Sequence, residues 1–302
     1  MIPSERLKGI EVFVCTADAG SFTAAAERLS LTNSAVGKAV SRLEARLNTR
    51  LFERTTRRLS LTDAGAAFYR TCVRVLDELQ IAEQVLAADE LEPSGRIRVD
   101  IPATFGRMRV MPLLLAFIDR HPAVRPHISF TDRFVDLVEE GIDVGVRIGG
   151  TDRWPSALGH RYLGTERLIF CASPTYLARR GTPQSVDELF SHDAVTYGRA
   201  DGRTNPWLIA RDAGPIERRD AEGRITVGQA DAHLDAVLAG GGIAQIATWL
   251  VGEHLASGRL VQILPHTATD GLPLNLVWPI SRQLLPKVDG LLAYLGNTLG
   301  IG

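Results

Sequence analysis

Asn33, Ser34, Gly37, Lys38 and Ser41 recur at spacings that gather them on one face of a helix, with Thr32 at its start and Arg42 one turn beyond Lys38. That face offers amide, hydroxyl and ammonium groups and no bulky apolar side chain. Lys38 suits the acceptors of guanine, Asn33 an adenine edge, and Ser34 a base or a phosphate. Arg42 suits a phosphate, or a surface pair with the nearby Glu44. Further on, Arg54, Thr55, Thr56, Arg57 and Arg58 are cationic or hydroxylic, the chemistry of phosphate contacts, with one arginine in a minor groove. From Thr32 to Arg58 there are seven basic residues against two acidic, a balance of +5 in a chain of net charge −1, which leaves −6 for the remainder. A polar helix face alone is common and mostly solvated. A basic island in an otherwise acidic chain is the footprint of a polyanion.

The elements that must position these groups are readable. Thr32 is a good N-cap. Val36, Val40, Leu43 and Leu47 form an apolar stripe on the other side of the helix. Asn48 suits the left-handed position after its end. Leu51–Arg54 and Leu59–Leu61 read as the strands of a small wing. Upstream, residues 5–19 predict a helix with Leu7, Ile10, Phe13, Val14 and Ala17 inward and Gly20 at its end. Ser21 caps a second helix, Phe22–Leu29.

Thr62 caps a long helix to about Leu91. Phe68, Cys72, Val75, Leu79, Ala82 and Leu86 step by fours and threes, a heptad seam that predicts pairing with another helix. About 28 residues make a rod of roughly 42 Å, too long to bury against a small head. Pro93-Ser94-Gly95 breaks it. Strand and helix patterns then alternate: Ile97–Ile101, helix Arg107–Arg120, strand Ile128–Thr131, short helix Phe134–Glu140, strand Val144–Ile148, and onward to a last helix, Pro286–Leu299. This predicts an α/β sensor with largely parallel sheets. Pro126 points to an edge strand or a later strand start. Ligands of such sheets sit at strand ends. Candidate effector-binding residues are therefore Thr104 and Phe105, which precede a helix and suit a small anion, then Thr131, Asp132, Arg147 as a carboxylate partner, Tyr197 and Gly228. For each, local capping or structural pairing is the competing role.

The pattern GSFTAAAERLSLTNSAV…KAVSRLEARLNTRLFERTTRRLSLTDAG resembles the winged helix-turn-helix of the LysR-type transcriptional regulators over roughly sixty residues. Gly37 stands where that family often has Ser, and Asn48 where it usually has Gly. The resemblance implies an N-terminal winged helix-turn-helix head (1–62), a dimerising linker helix (63–92) and an α/β effector-binding domain (93–302). That domain would hold two subdomains like a periplasmic solute-binding protein, I at about 96–164 and 268–302 and II at about 165–267. The chain would cross between them near Gly164–Glu166 and Pro265–Thr269. DLVEEGIDVGVRIG and CASPTYLARRGTP also look familiar for the family. The implied partners are double-stranded DNA, a small-molecule effector in the cleft, a second copy as homodimer or dimer of dimers, and RNA polymerase at a neighbouring promoter. Autoregulation is implied too. The competing reading is a solute-binding sensor whose head contacts protein.

Composition fits that picture. Hydrophobic residues make up 45% and charged residues 23% of 302, ordinary for a globular chain. No apolar run reaches membrane length, and the first residues lack a secretory pattern, so the expected location is cytoplasmic. Cys15, Cys72 and Cys171 fit neither a disulfide framework nor a zinc spacing. No cofactor or metal is expected. No phosphate loop, GxSxG or HExxH is present, and Gly240–Gly242 follows a helix rather than preceding one, so no enzyme class is indicated.

Overall fold

Phe13 is the hub of the first unit, Met1–Asp89. The structure, a computed structural model, describes residues 7, 9–54, 59–87, 92–150, 153–199, 201–210 and 215–301. Helix α1 (Ile10–Ala19) stops at Gly20, whose φ of 60° turns the chain. Helix α2 (Phe22–Arg28) begins on Ser21, whose hydroxyl accepts from the Ala24 N–H. Helix α3 (Asn33–Leu47) begins on Thr32 and ends at Asn48 in the left-handed conformation, φ 48°. Strands β1 (Phe52–Arg54) and β2 (Leu59–Leu61) pair antiparallel, Phe52 opposite Leu61. Helix α4 spans Asp63–Ala87. Thr62 Oγ1 accepts from the Gly65 N–H at 2.9 Å and donates to the Arg50 carbonyl at 2.8 Å. At Gly65 a Cβ would lie 2.0 Å from the Leu51 carbonyl oxygen, so only glycine lets α4 approach the wing.

The core of this unit is Ile10, Phe13, Val40, Leu43, Leu51, Phe52 and Cys72. The Phe13 ring meets Phe52 at 5.4 Å, Phe68 at 5.6 Å and Tyr69 at 6.5 Å, pairs each worth about 0.5–1.5 kcal/mol beyond burial. Ala25, Ala26 and Val36 form a second cluster, where small side chains bring α2 against α3. Two expectations are revised. Leu47 is exposed, because the stripe turns past the core in the last turn of α3. Phe68 and Cys72 belong to the head's own core and Leu76 packs against it, while Val75 and Leu79 are exposed, at 36% and 43%. The side chains of Ala82 and Leu86, and residues 88–91, lie outside the described residues.

The second unit, Glu90–Gly302, starts with β3 (Gly95–Ile101). A helix follows in three pieces: α5 (Ala103–Phe105), a wide π turn at Gly106–Val110, and α6 (Met111–Arg120). Gly106 lies so close to the preceding strand that a Cβ would sit 2.6 Å from Ile101 Cγ1. Strands β4 (Val124–Phe130), β5 (Val144–Ile148) and β6 (Leu158–Ala172) follow. Next come α7 (Pro174–Arg180), α8 (Val186–Leu189), β7 (Ala194–Tyr197), β8 (Trp207–Ile209), β9 (Glu217–Arg219), β10 (Gly223–Val227) and α9 (Ala230–Leu238). The chain closes with β11 (Ala244–Ala247), α10 (Thr248–Ala256), β12 (Val261–Ile263), β13 (Thr269–Pro279) and α11 (Pro286–Thr298).

The main sheet runs β11-β6-β13-β5-β3-β4, with β12 also beside β6. β3 pairs in parallel with β4 and β5, but β13 is antiparallel to β5 and β6, and β11 and β12 are antiparallel to β6. The sheet is therefore mixed rather than largely parallel. The reason lies in two long strands, β6 and β13, which pair antiparallel with each other and with the shorter strands beside them. Their ladder is interrupted between Asp270 and Pro273, beside Gly164 with φ 140°. Pro126 sits in the edge strand β4, which starts earlier than its sequence pattern shows. Phe134–Glu140 is a turn, not a helix. Asp136 Oδ1 accepts from the Val138 and Glu139 N–H groups, both at 2.9 Å, a local capping that competes with helix propagation.

Candidate nucleic-acid interface and effector cleft

On α3, Val36, Val40 and Leu43 are buried, while Thr32, Asn33, Ser34, Lys38, Ser41 and Arg42 are exposed and Gly37 is half-buried. Thr32 Oγ1 is engaged as the cap, accepting from the Ala35 N–H at 3.2 Å. Asn33 Nδ2 donates to Thr23 Oγ1 at 3.1 Å. That bond ties the start of α3 to α2 and aims the amide, which places Thr23 beside the face although its sequence position gave no sign of it. Glu44 Oε1 accepts from the Leu51 and Phe52 N–H groups at 2.8 and 3.2 Å. The acidic residue of the helix thus pins the wing's first strand. The side chain of Arg54, and Thr55, Thr56, Arg57 and Arg58, lie outside the described residues.

The second unit brings a different set together. Phe105, at the start of its helix, meets Trp249 edge-on at 5.0 Å. Trp249 Nε1 donates to Glu166 Oε2 at 3.2 Å, and Glu166 Oε1 accepts from the Leu272 N–H at 3.0 Å. Burial raises the Glu166 pKa despite these two donors. Arg107 reaches Asp231 at 3.3 Å. The Tyr197 ring lies 5.8 Å from that of His233, whose Nε2 is 2.9 Å from the Val195 carbonyl. Burial lowers the His233 pKa and raises that of Tyr197, the latter reinforced by Asp132, Asp231 and Glu166. These residues come from the helix after β3, from β6 and β7, and from α9 and α10, and Asp132, Asp231 and Glu166 all act on Tyr197, so they form one polar cluster.

The sequence candidates distribute unevenly around it. Thr104 and Phe105 are buried, and the Thr104 hydroxyl has no hydrogen-bond partner among the described residues. Thr131 is half-buried and accepts from the Arg133 N–H at 3.1 Å. Asp132 Oδ1 accepts from the Ala103 N–H at 3.0 Å, so the helix start expected to take a small anion already holds the chain's own carboxylate. Gly228 is exposed, and a Cβ there would lie 3.3 Å from the Gly198 carbonyl oxygen. Arg147 is directed at Asp100 through Nη1, while its buried Nε and Nη2 have no hydrogen-bond partner among the described residues. It is 3% exposed, with Nη1 2.7 Å from Asp100 Oδ1 and donating to the Asp100 and Val146 carbonyls. Its neighbour on the sheet, Asp100, is a buried charge that needs a cation, and Arg147 supplies it.

Comparison with known proteins places this architecture. Residues 7–66 match the model described as bacterial regulatory helix-turn-helix protein, lysR family, and residues 91–300 match the LysR substrate binding domain. The chain belongs to the LysR-type transcriptional regulators. It is 34% identical to the HTH-type transcriptional regulator CrgA of Neisseria meningitidis over 96% of this chain and 97% of that protein. It is 32% identical to the HTH-type regulator YhjC of Escherichia coli over 98% of each. The solved structure of CrgA superposes with a TM-score of 0.62 at 31% identity, over 96% and 97% of the two chains. Full-length AphB of Vibrio cholerae gives 0.63 at 25%, over 97% and 100%.

As a LysR-type regulator the chain is a DNA-binding transcription regulator with a substrate-binding domain, and its relatives are regulators, not enzymes. Among the described residues no helix is long and apolar enough to cross a membrane. Burial pushes the thiols of Cys72 and Cys171 up to about 11 and about 12, so both behave as small apolar core groups. Sequence reasoning passed over Glu166, Asp231, His233 and Trp249. Asp231 and His233 were within reach of it, since they open the helix that follows Gly228 at the end of β10.

Proposed function

We propose that this regulator reads a specific operator through Asn33, Ser34, Lys38 and Ser41 in the major groove. Thr32, Gly37 and Arg42 lie close to the backbone, and Arg54, Thr55, Thr56, Arg57 and Arg58 contact phosphates and the minor groove. The observation that carries this is a polar, cationic α3 face, exposed at Asn33, Ser34, Lys38, Ser41 and Arg42, above a buried apolar stripe. Two heads joined through α4 grip two half-sites, and the exposed Val75 and Leu79 supply the pairing seam of a homodimer or dimer of dimers. A small effector enters the cleft among Thr104, Phe105, Thr131, Asp132, Tyr197 and Gly228. It alters the angle between lobes about β6 and β13, and so the head spacing and access of RNA polymerase. It shifts this equilibrium only through unequal affinity for the two arrangements. Arg147 acts from behind, holding Asp100 neutralised. The site of action is the cytoplasm, where the DNA is.

The test is a gel shift with the DNA upstream of the regulator's own gene, titrated with salt. Retention should weaken steeply as salt rises, by the release of one condensed counterion set per phosphate contact. A chain that retains no duplex at low ionic strength does not read DNA. A thermal-shift screen of small metabolites tests the cleft separately, since a ligand of the folded state raises its melting temperature.

A further inference from the structure

Strand β4 pairs with β3 so that Arg125 lies opposite Arg96 and His127 opposite Arg98. Alternate residues of a strand share a face, so Arg96, Arg125 and His127 stand together on the side away from Ile97 and Val99, while the Arg98 guanidinium lies beside Gly141. All four residues are exposed. Like charges directly opposite across a ladder repel, and among the described residues no carboxylate pairs with Arg96 or Arg125. Two neighbouring carboxylates are taken: Asp100, next in the same row, pairs with Arg147, and Asp143 pairs with Arg282 at 2.6 Å. Among the described residues none of the four side chains has an acidic partner. A groove of about 570 Å³ opens there, lined by Gly95, Arg96, Ala123, Arg125, Pro126 and His127, within the usual size of a small-molecule site.

β4 is the sheet edge, yet Pro126 removes a backbone donor from it, which disfavours the addition of another strand. What the groove suits is a compact, multiply charged anion. Arginine forks grip phosphate oxygens in pairs, and two facing arginines match the two ends of a diphosphate. The place is also distinct from the effector cleft. The groove lies at the amino ends of β3 and β4, whereas Thr104 and Thr131 follow their carboxyl ends, roughly 20 Å away at the rise of a seven-residue strand.

We propose that the amino-terminal end of the β3–β4 pair is a second ligand site, which takes a phosphate-bearing small molecule of two or more negative charges through Arg96, Arg125 and His127. Hydrogen exchange on the full chain, with and without inorganic pyrophosphate at constant ionic strength, tests this locally. Exchange over 95–99 and 124–128 should slow with pyrophosphate and not with matched sodium chloride. The slowing should be lost in Arg96→Ser/Arg125→Ser, while that variant still retains operator DNA. Unchanged exchange in those segments, equal slowing by chloride, or slowing that survives in the double variant overturns the proposal. Protection confined to the head, with its own basic face, counts against it as well. Without any ligand, Arg125→Thr should melt at or above the parent temperature because the repulsion is relieved, and a drop of several degrees would refute the unrelieved pairing on which the site depends.

Discussion

Lys38 and Glu44 lie less than two turns apart on α3 and do opposite work. Lys38 is exposed with its stem on the polar face, free to meet a guanine edge. A good base contact is worth about 1–3 kcal/mol, so Lys38→Ala is expected to weaken operator binding about ten-fold or more at fixed salt, with the circular dichroism unchanged. An unaltered dissociation constant in a gel shift would remove Lys38 from the contact set. Glu44 faces inward to the Leu51 and Phe52 N–H groups. Glu44→Ala leaves the buried Leu51 donor without a partner, at a loss of about 1–3 kcal/mol, read as a lower denaturant midpoint. Operator binding should fall with it, because the first strand of the wing is no longer held to α3.

At the scale of elements, α4 divides its apolar stripe between two jobs. Phe68 and Cys72 complete the head's core, and Val75 and Leu79 remain outside it. An exposed apolar row on a long helix is stable in water when another surface covers it. Val75→Asp with Leu79→Asp should therefore lower the oligomeric state, measured by analytical ultracentrifugation, and leave the folding of the head intact. A variant with the parent's sedimentation would show that α4 does not pair. The heptad spacing alone did not reveal this division. Spacing marks which residues share a face, and only packing shows which part of that face the head consumes.

Two buried titratable groups set how the second unit as a whole responds to pH. His233 has its pKa lowered from 6.5 by burial, so the stability that depends on its neutral form is present above that value and lost as pH falls through it. Glu166 has its pKa raised from 4.5, so its contribution is present in acid and lost as pH rises through the folded value. The two oppose one another on acidification. His233→Gln should flatten the fall in melting temperature between about pH 7 and about pH 5 that a buried neutral histidine produces. An unchanged pH profile would mean that His233 is already solvated in the folded state.

Much of the molecule was legible from the chain alone because the governing signals are local. Caps at Ser21, Thr32 and Thr62, the turn at Asn48, the apolar stripe of α3 and the alternation in β3 and β5 all act within a few residues. They follow from backbone geometry and from the need to bury one face of each element. The exposed cationic face of α3 belongs with them, since it is the complement of a buried stripe. What required the tertiary structure is every property set by residues far apart in sequence. Asp132 occupying the helix start at Ala103, Asp100 claiming Arg147, and Trp249 reaching Glu166 are such cases, as is the mixed sheet made by the long antiparallel strands β6 and β13. A charged side chain takes the partner that desolvation makes most necessary, and that partner is chosen by the fold, not by its neighbours along the chain.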